Sequence, residues 1–223
     1  GLYTTSQTGL KLSYYIANYK GGRNESYMYG SSSKIRTVDY DLTSAYTTAM
    51  AGLGNPDYNK GRSISVRELE KMSFNDILYS YVIMKAKFKF NSKTKFPSIP
   101  ANVDEDVSVY ALEGESIING AEYLLAKSQK CKLQISEVYY LPFEKDKEGN
   151  LINQPFKSII NEIQAERRKH PKGTIENLTE KEKGNSIYGS TARGISNKKK
   201  FDIKSGTTVR MEAGELSNPI IAS

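Results

Sequence analysis

For about two thirds of its length the chain alternates short apolar runs of strand character with polar turns, and near residue 155 it switches to helical periodicity. The run Leu12–Ile16 predicts a strand or short helix leading into a turn at Gly21–Gly22. Partial alternation over Lys34–Leu42 predicts a strand, and Ser44 to Met50 a helix closed by the Gly-Asn-Pro run at 54–56. The longest strand signal is Ile77–Phe90, where lysines alternate with apolar residues. Those lysines suit a long hairpin arm or a sheet edge, which charge protects from pairing with other chains. Strands over Val107–Leu112 and Leu133–Leu141 flank a helix expected at about 115–128, where Ile117, Ile118, Ala121, Leu124 and Leu125 recur at helical spacing. After a charged linker, 144–153, Phe156, Ile159, Ile160 and Ile163 form one apolar stripe. A turn at Pro171–Gly173 follows, and then a second helix from about Asn177 or Thr179 to Thr191. Strands followed by a helical hairpin make the fold class α+β.

Charge changes the picture more than length does. The 223 residues carry a formal net charge of +7 and a pI near 9.2, with basic residues gathered at 167–172 and 198–204. A basic surface gains free energy by releasing counterions from a polyanion, so nucleic acid or a nucleotide phosphate is a natural partner. Sixteen tyrosines add stacking faces that also carry a hydroxyl. One cysteine, Cys131, and one histidine, His170, exclude an internal disulfide and a zinc cluster, so any metal is bound by oxygen. No run is apolar enough for a membrane span and no signal-peptide layout opens the chain, which places it in the cytoplasm, with no membrane partner.

Candidate chemistry gathers on the second helix of the hairpin. Lys181, Asn185 and Tyr188 stand at i, i+4 and i+7, on one face, with Gly184 and Gly189 beside them. Each helical glycine costs about 1 kcal/mol relative to alanine, so a close approach is expected there, a flat base or sugar being one candidate. A solvated face with a packing glycine is the plainer alternative. Upstream, Asp39 and Asp41 are two apart and project from one side if the segment is a strand. Paired carboxylates at a strand end suit Mg²⁺, which takes few hard oxygens besides phosphate; solvated turn carboxylates are the commoner outcome.

The full strings narrow these readings. Lys181-x-x-x-Asn185-Ser-x-Tyr188-Gly189 resembles the fingers motif of family B DNA polymerases, and Asp41-Leu42-Thr43-Ser44-Ala45-Tyr46 resembles their first palm motif. Tyr19-Lys-Gly21-Gly22 resembles the Tyr-x-Gly-Gly loop that touches template. The matches come in the family's order, with Ala45 in place of a leucine and Thr47 in place of a proline. This resemblance implies a palm sheet portion with an inserted β-rich subdomain and an antiparallel two-helix fingers hairpin. It divides the chain into 1–56, palm with the loop and first motif; 57–142, the strand-rich insertion; 143–195, fingers; and 196–223, a basic connection back to the palm.

The resemblance further implies template-directed DNA synthesis with Mg²⁺, for which Mn²⁺ can substitute. In it Asp41 is the catalytic metal ligand, and main-chain groups of Leu42 through Ala45, Ser44 included, line the triphosphate site. Tyr46 gates the sugar against ribonucleotides. Lys181 and Lys169, with Arg168 beside it, bind triphosphate, while Asn185 and Tyr188 pack on the nascent pair. Tyr19, Gly21, Gly22, Gly189 and Lys198, Lys199 and Lys200 face DNA. The loop and the insertion lean toward the protein-primed branch, whose partners are template-primer DNA, dNTP and a terminal protein. The family's second carboxylate comes from an Asp-Thr-Asp turn that the sequence does not contain, so the chain is expected to be a fragment, inactive alone. A non-catalytic DNA- or protein-binding module of the same shape is the alternative from another class; a metal nuclease requires more clustered acids.

Overall fold

The computed structural model describes residues 12–19, 22–23, 25–26, 29–30, 36–42, 44–104, 107–191, 198–202 and 206–211. In chain order the elements are α1 (Leu12–Asn18), α2 (Ala45–Ala51), a 3₁₀ turn (Tyr58–Lys60), β1 (Arg62–Ile64), α3 (Val66–Lys71) and α4 (Phe74–Leu78). Then come β2 (Ser80–Lys89), β3 (Ala101–Asp104), β4 (Val107–Val109), β5 (Glu113–Asn119), α5 (Gly120–Ser128) and β6 (Lys132–Pro142). The hairpin helices α6 (Lys157–Arg168) and α7 (Ile175–Thr191) and the strands β7 (Lys198–Asp202) and β8 (Thr207–Met211) complete the series. The fold is α+β, in two compact units: residues 1–41 with 53–155, and residues 42–52 with 156–223.

The first unit is built on an antiparallel sheet of order β1-β6-β2-β5. Alternation along β2 sends Met84, Ala86 and Phe88 into a core with Leu69, Ile77, Ile118 and Val138. Ile83 goes to the other face, against Tyr139 and Leu141, where Tyr14 and Tyr15 of α1 pack. The strand expected at an arm or edge is therefore central. Its lysines are explained by β5, where Glu115 pairs with Lys85 at 3.0 Å and Glu113 with Lys89 at 2.5 Å. The solvent face of a central strand is thus covered by cross-strand ion pairs.

The helix expected from residue 115 begins only at Gly120. Ile117 and Ile118 are β-branched and sit in β5, and a capping box fixes the boundary. The Asn119 side chain accepts from the Glu122 N–H, and the Glu122 carboxylate accepts from the Asn119 N–H. Asn18 of α1 joins this box, donating to Glu122 Oε2 at 2.8 Å and to the Ile117 carbonyl at 2.9 Å. A β-carbon on Gly120 meets Ile77 Cγ2 at 2.9 Å and the Ile77 carbonyl at 3.0 Å, and the carbonyl is backbone that cannot swing aside. Gly120→Ala is expected to destabilise by about 1 to 3 kcal/mol despite the better helix former, read as a lower thermal midpoint of the full-length protein. An unchanged or higher midpoint contradicts this packing.

A second departure is the segment 36–42, which has no regular structure. Val38, Tyr40 and Leu42 are exposed, and no described strand pairs with it. Its alternation has neither an apolar face to bury nor a ladder to join, and a strand needs both.

In the second unit α2 lies against both α6 and α7, burying Thr47 and Met50, while α6 buries Ile160. The helix α7 starts two residues before the earlier of its expected starts because Thr174 Oγ1 accepts from the Asn177 N–H at 3.3 Å. Asn177, Glu180 and Gly184 form its buried stripe. The strands β7 and β8 pair as an antiparallel hairpin, so Lys198, Lys199 and Lys200 lie in a ladder, not a loop. No helix among the described residues is long and apolar enough to cross a membrane.

Candidate active site

The helix α2 is entered through Ser44, whose φ of 57° and ψ of 35° are left-handed. For a residue with a β-carbon that conformation costs on the order of 1 to 2 kcal/mol, so its surroundings must hold it. The Ser44 carbonyl accepts from Thr48 N at 2.9 Å and from the Thr47 hydroxyl at 3.0 Å. Its hydroxyl caps nothing and accepts from an Arg167 guanidinium N–H at 3.2 Å. Two residues on, the Tyr46 ring stacks on Tyr188 of α7, with centroids 4.3 Å apart and planes inclined by 25°. Tyr46 and Tyr188, 142 positions apart by their numbers, therefore share one surface within the second unit.

Gly184 shows what its missing side chain is for. A β-carbon there comes within 3.2 Å of Thr47 Cγ2, so the close approach inferred from sequence is made by α2 and not by a base or sugar. Thr47, standing where the family pattern has proline, supplies that contact and continues the helix to Ala51. Gly189 has open space around it. Asn185 is exposed, with an amide N–H 3.4 Å from a Glu182 oxygen.

Charge sorts the candidate phosphate ligands. Lys169 is held by Glu166 at 2.6 Å, and its hydrogen bond, with His170 adding a second, keeps the Glu166 carboxyl below the usual carboxylate range. Lys183 is bonded to Glu180. Lys181 is exposed and forms no ion pair with a described residue, leaving its ammonium open to an anion; Arg168 is exposed as well. It is Arg167, not Arg168 or Lys169, that turns inward: besides Ser44 it reaches Asn177 Oδ1 at 3.4 Å. Sequence reasoning chose Lys169 and Arg168 over Arg167, and Asn177 entered it only as a possible helix start. The nearest signal was Thr174, whose cap places Asn177 in the first turn.

Asp41 is the last residue of the first unit, exposed in irregular backbone, as is Asp39, so the shared strand face expected for them is absent. Leu42 opens the second unit, 82% exposed, and Ala45 is exposed. Tyr19 and Gly22 are exposed residues of the first unit, with the Tyr19 N–H bonded to the carbonyls of Tyr15 and Ile16. Gly21 and Thr43 lie outside the described residues.

A curated relative is a DNA polymerase. The chain is 30% identical over 213 residues to the primer-independent DNA polymerase PolB of Escherichia coli, an alignment covering 92% of this chain and 23% of that protein. The chain thus spans about a quarter of the relative's length. No family model matches the chain. No solved structure matches it either. The similarity relates this chain to one stretch of that polymerase and leaves the roles of individual residues to chemistry.

For a divalent cation that chemistry is permissive. No group of three or more His, Cys, Asp or Glu among the described residues could hold a metal. Mg²⁺ differs from zinc or calcium in needing only one or two carboxylates beside substrate phosphates and water. The exposed carboxylates of Asp41 and Asp39 are donors of that kind.

Proposed function

We propose that this chain is the nucleotide-selecting part, palm plus fingers, of a family B DNA polymerase that adds dNTP to a growing strand under template direction. The observation that carries the reading is the stack of Tyr46 on Tyr188 beside the open Lys181. Two motifs distant in sequence put an aromatic pair and an uncompensated cation on one helical surface. A nucleotide has the complementary parts: a flat base, a sugar and a triphosphate. In this reading Lys181 binds the triphosphate as a point charge, with Lys169 and Arg168 able to join it. Tyr188 and Asn185 lie against the nascent base pair, and Tyr46 lies under the sugar.

Asp41 supplies a carboxylate for Mg²⁺ or Mn²⁺, which in such sites neutralises phosphate charge and activates the attacking hydroxyl. Tyr19, Gly22, Gly189 and the β7 lysines are assigned to template and product DNA on chemical type alone. Protein priming, the finer expectation from the sequence, has no support in the relative, which is described as primer-independent. Initiation without a terminal protein is therefore favoured.

The test of the sugar gate is Tyr46→Val in the full-length protein. Removing the ring is expected to lower discrimination against ribonucleotides roughly ten- to hundredfold, the size of a relieved steric clash. Unchanged sugar selectivity contradicts the gate.

A further inference from the structure

We propose that Arg167 is a positioning residue of the nucleotide site, holding Ser44 in its left-handed conformation and so setting where Tyr46 stands. The inference rests on the polymerase reading and adds to it a residue that neither sequence motif contains. A continuous series of bonds supports it. The Asn177 amide donates to the carbonyls of Arg167 at 2.9 Å and His170 at 3.1 Å, closing the turn between α6 and α7. The Asn177 carbonyl oxygen then faces the Arg167 guanidinium at 3.4 Å, and a second N–H of that guanidinium reaches Ser44 Oγ at 3.2 Å. Asn177 is 8% exposed, so the linkage is shielded from water at that end, while Arg167 and Ser44 are half-buried. Ser44 leads directly into α2, which carries Tyr46 onto Tyr188.

The chemistry requires arginine. A planar guanidinium can span two acceptors at fixed angles, whereas an ammonium on the same stem is a single point donor. Arg168 and Lys169, the neighbours that sequence favours, do not make this bridge: Lys169 is engaged by Glu166 and Arg168 is exposed. Ser44 needs the support because its conformation is one that only glycine adopts freely.

Single-nucleotide incorporation by the full-length protein separates positioning from direct phosphate contact. Arg167→Ala is expected to raise KM for dNTP about tenfold with kcat changed less than about twofold, the size of a lost left-handed preference. Arg167→Lys is expected to resemble it. Ser44→Ala, which leaves the hairpin untouched, should raise KM to the same extent, and adding Arg167→Ala to it should bring no further loss. Adding Ser44→Gly to Arg167→Ala should lower KM again, because glycine takes the left-handed conformation unaided. A Ser44→Ala protein with wild-type KM overturns the proposal, and so does an Arg167→Ala loss that Ser44→Gly leaves untouched, the signature of an arginine that binds phosphate itself. If the wild type lacks template-directed incorporation, or Asp41→Asn and Asp39→Asn both retain it, the polymerase reading fails first. With the wild type active and either aspartate variant inactive, the Arg167 and Ser44 comparisons judge positioning alone.

Discussion

Asp41→Asn is expected to abolish template-directed synthesis, by at least about a thousandfold, while the full-length protein keeps its affinity for DNA within a few-fold. The substitution preserves size and exposure and removes only the negative charge that a hard cation needs. Asp41 is exposed at the end of the first unit, where no fold requirement competes with such a role. Asp39, equally exposed two residues earlier, provides the internal comparison, and Asp39→Asn should stay within a few-fold of wild type. Loss at Asp39 with retention at Asp41 shifts the register of the motif by two residues. Retention in both contradicts a metal-dependent site here.

The second large effect belongs to Lys181. Lys181→Ala should raise KM for dNTP by roughly 10- to 100-fold, the range for a lost charge-assisted contact to phosphate, with DNA affinity changed less than about twofold. The contrast comes from its neighbours. Lys183 and Lys169 are engaged by Glu180 and Glu166, so replacing either removes a cation whose charge is already matched within the helix or at its end. Lys181 has no such partner among the described residues. Parallel losses in nucleotide and DNA affinity would assign it to the general basic surface instead.

Much of the fold was legible where periodicity and local chemistry agree. The helix α6, though of its expected stripe only Ile160 is buried, the helix carrying Lys181 to Tyr188, the strand Lys132–Pro142 and the helix Ala45–Ala51 all follow from spacing and turn residues. Misreadings came where spacing alone was ambiguous. Ile117 and Ile118 fit a helical stripe, yet the cap at Asn119 assigns them to β5. The lysines of β2 suggested an edge because cross-strand glutamates, 24 to 30 residues distant by number, cannot be paired from sequence. Residues 36–42 alternate without burying anything, and alternation has no structural force without a neighbouring strand.

The same division holds for the site. Lys181, Asn185 and Tyr188 were readable because i, i+4 and i+7 fix a helical face before any tertiary contact forms. The contact of Tyr46 with Tyr188 and the packing of Thr47 at Gly184 depend on how α2 meets α7. Arg167 was harder still: three basic residues in a row carry identical local signals, and only the bond to Ser44, 123 residues away, distinguishes one of them. The left-handed Ser44 leaves no mark in a sequence that could have placed glycine there.

Incorporation by the full-length protein on four templates that differ only in the next unpaired base, with all four dNTPs present and Mg²⁺ added, tests the central claim most directly. The account predicts that the nucleotide added changes with the template base and that a 2′-deoxy sugar is preferred. Addition that ignores the template, or none under conditions where the folded protein binds the DNA, would contradict it.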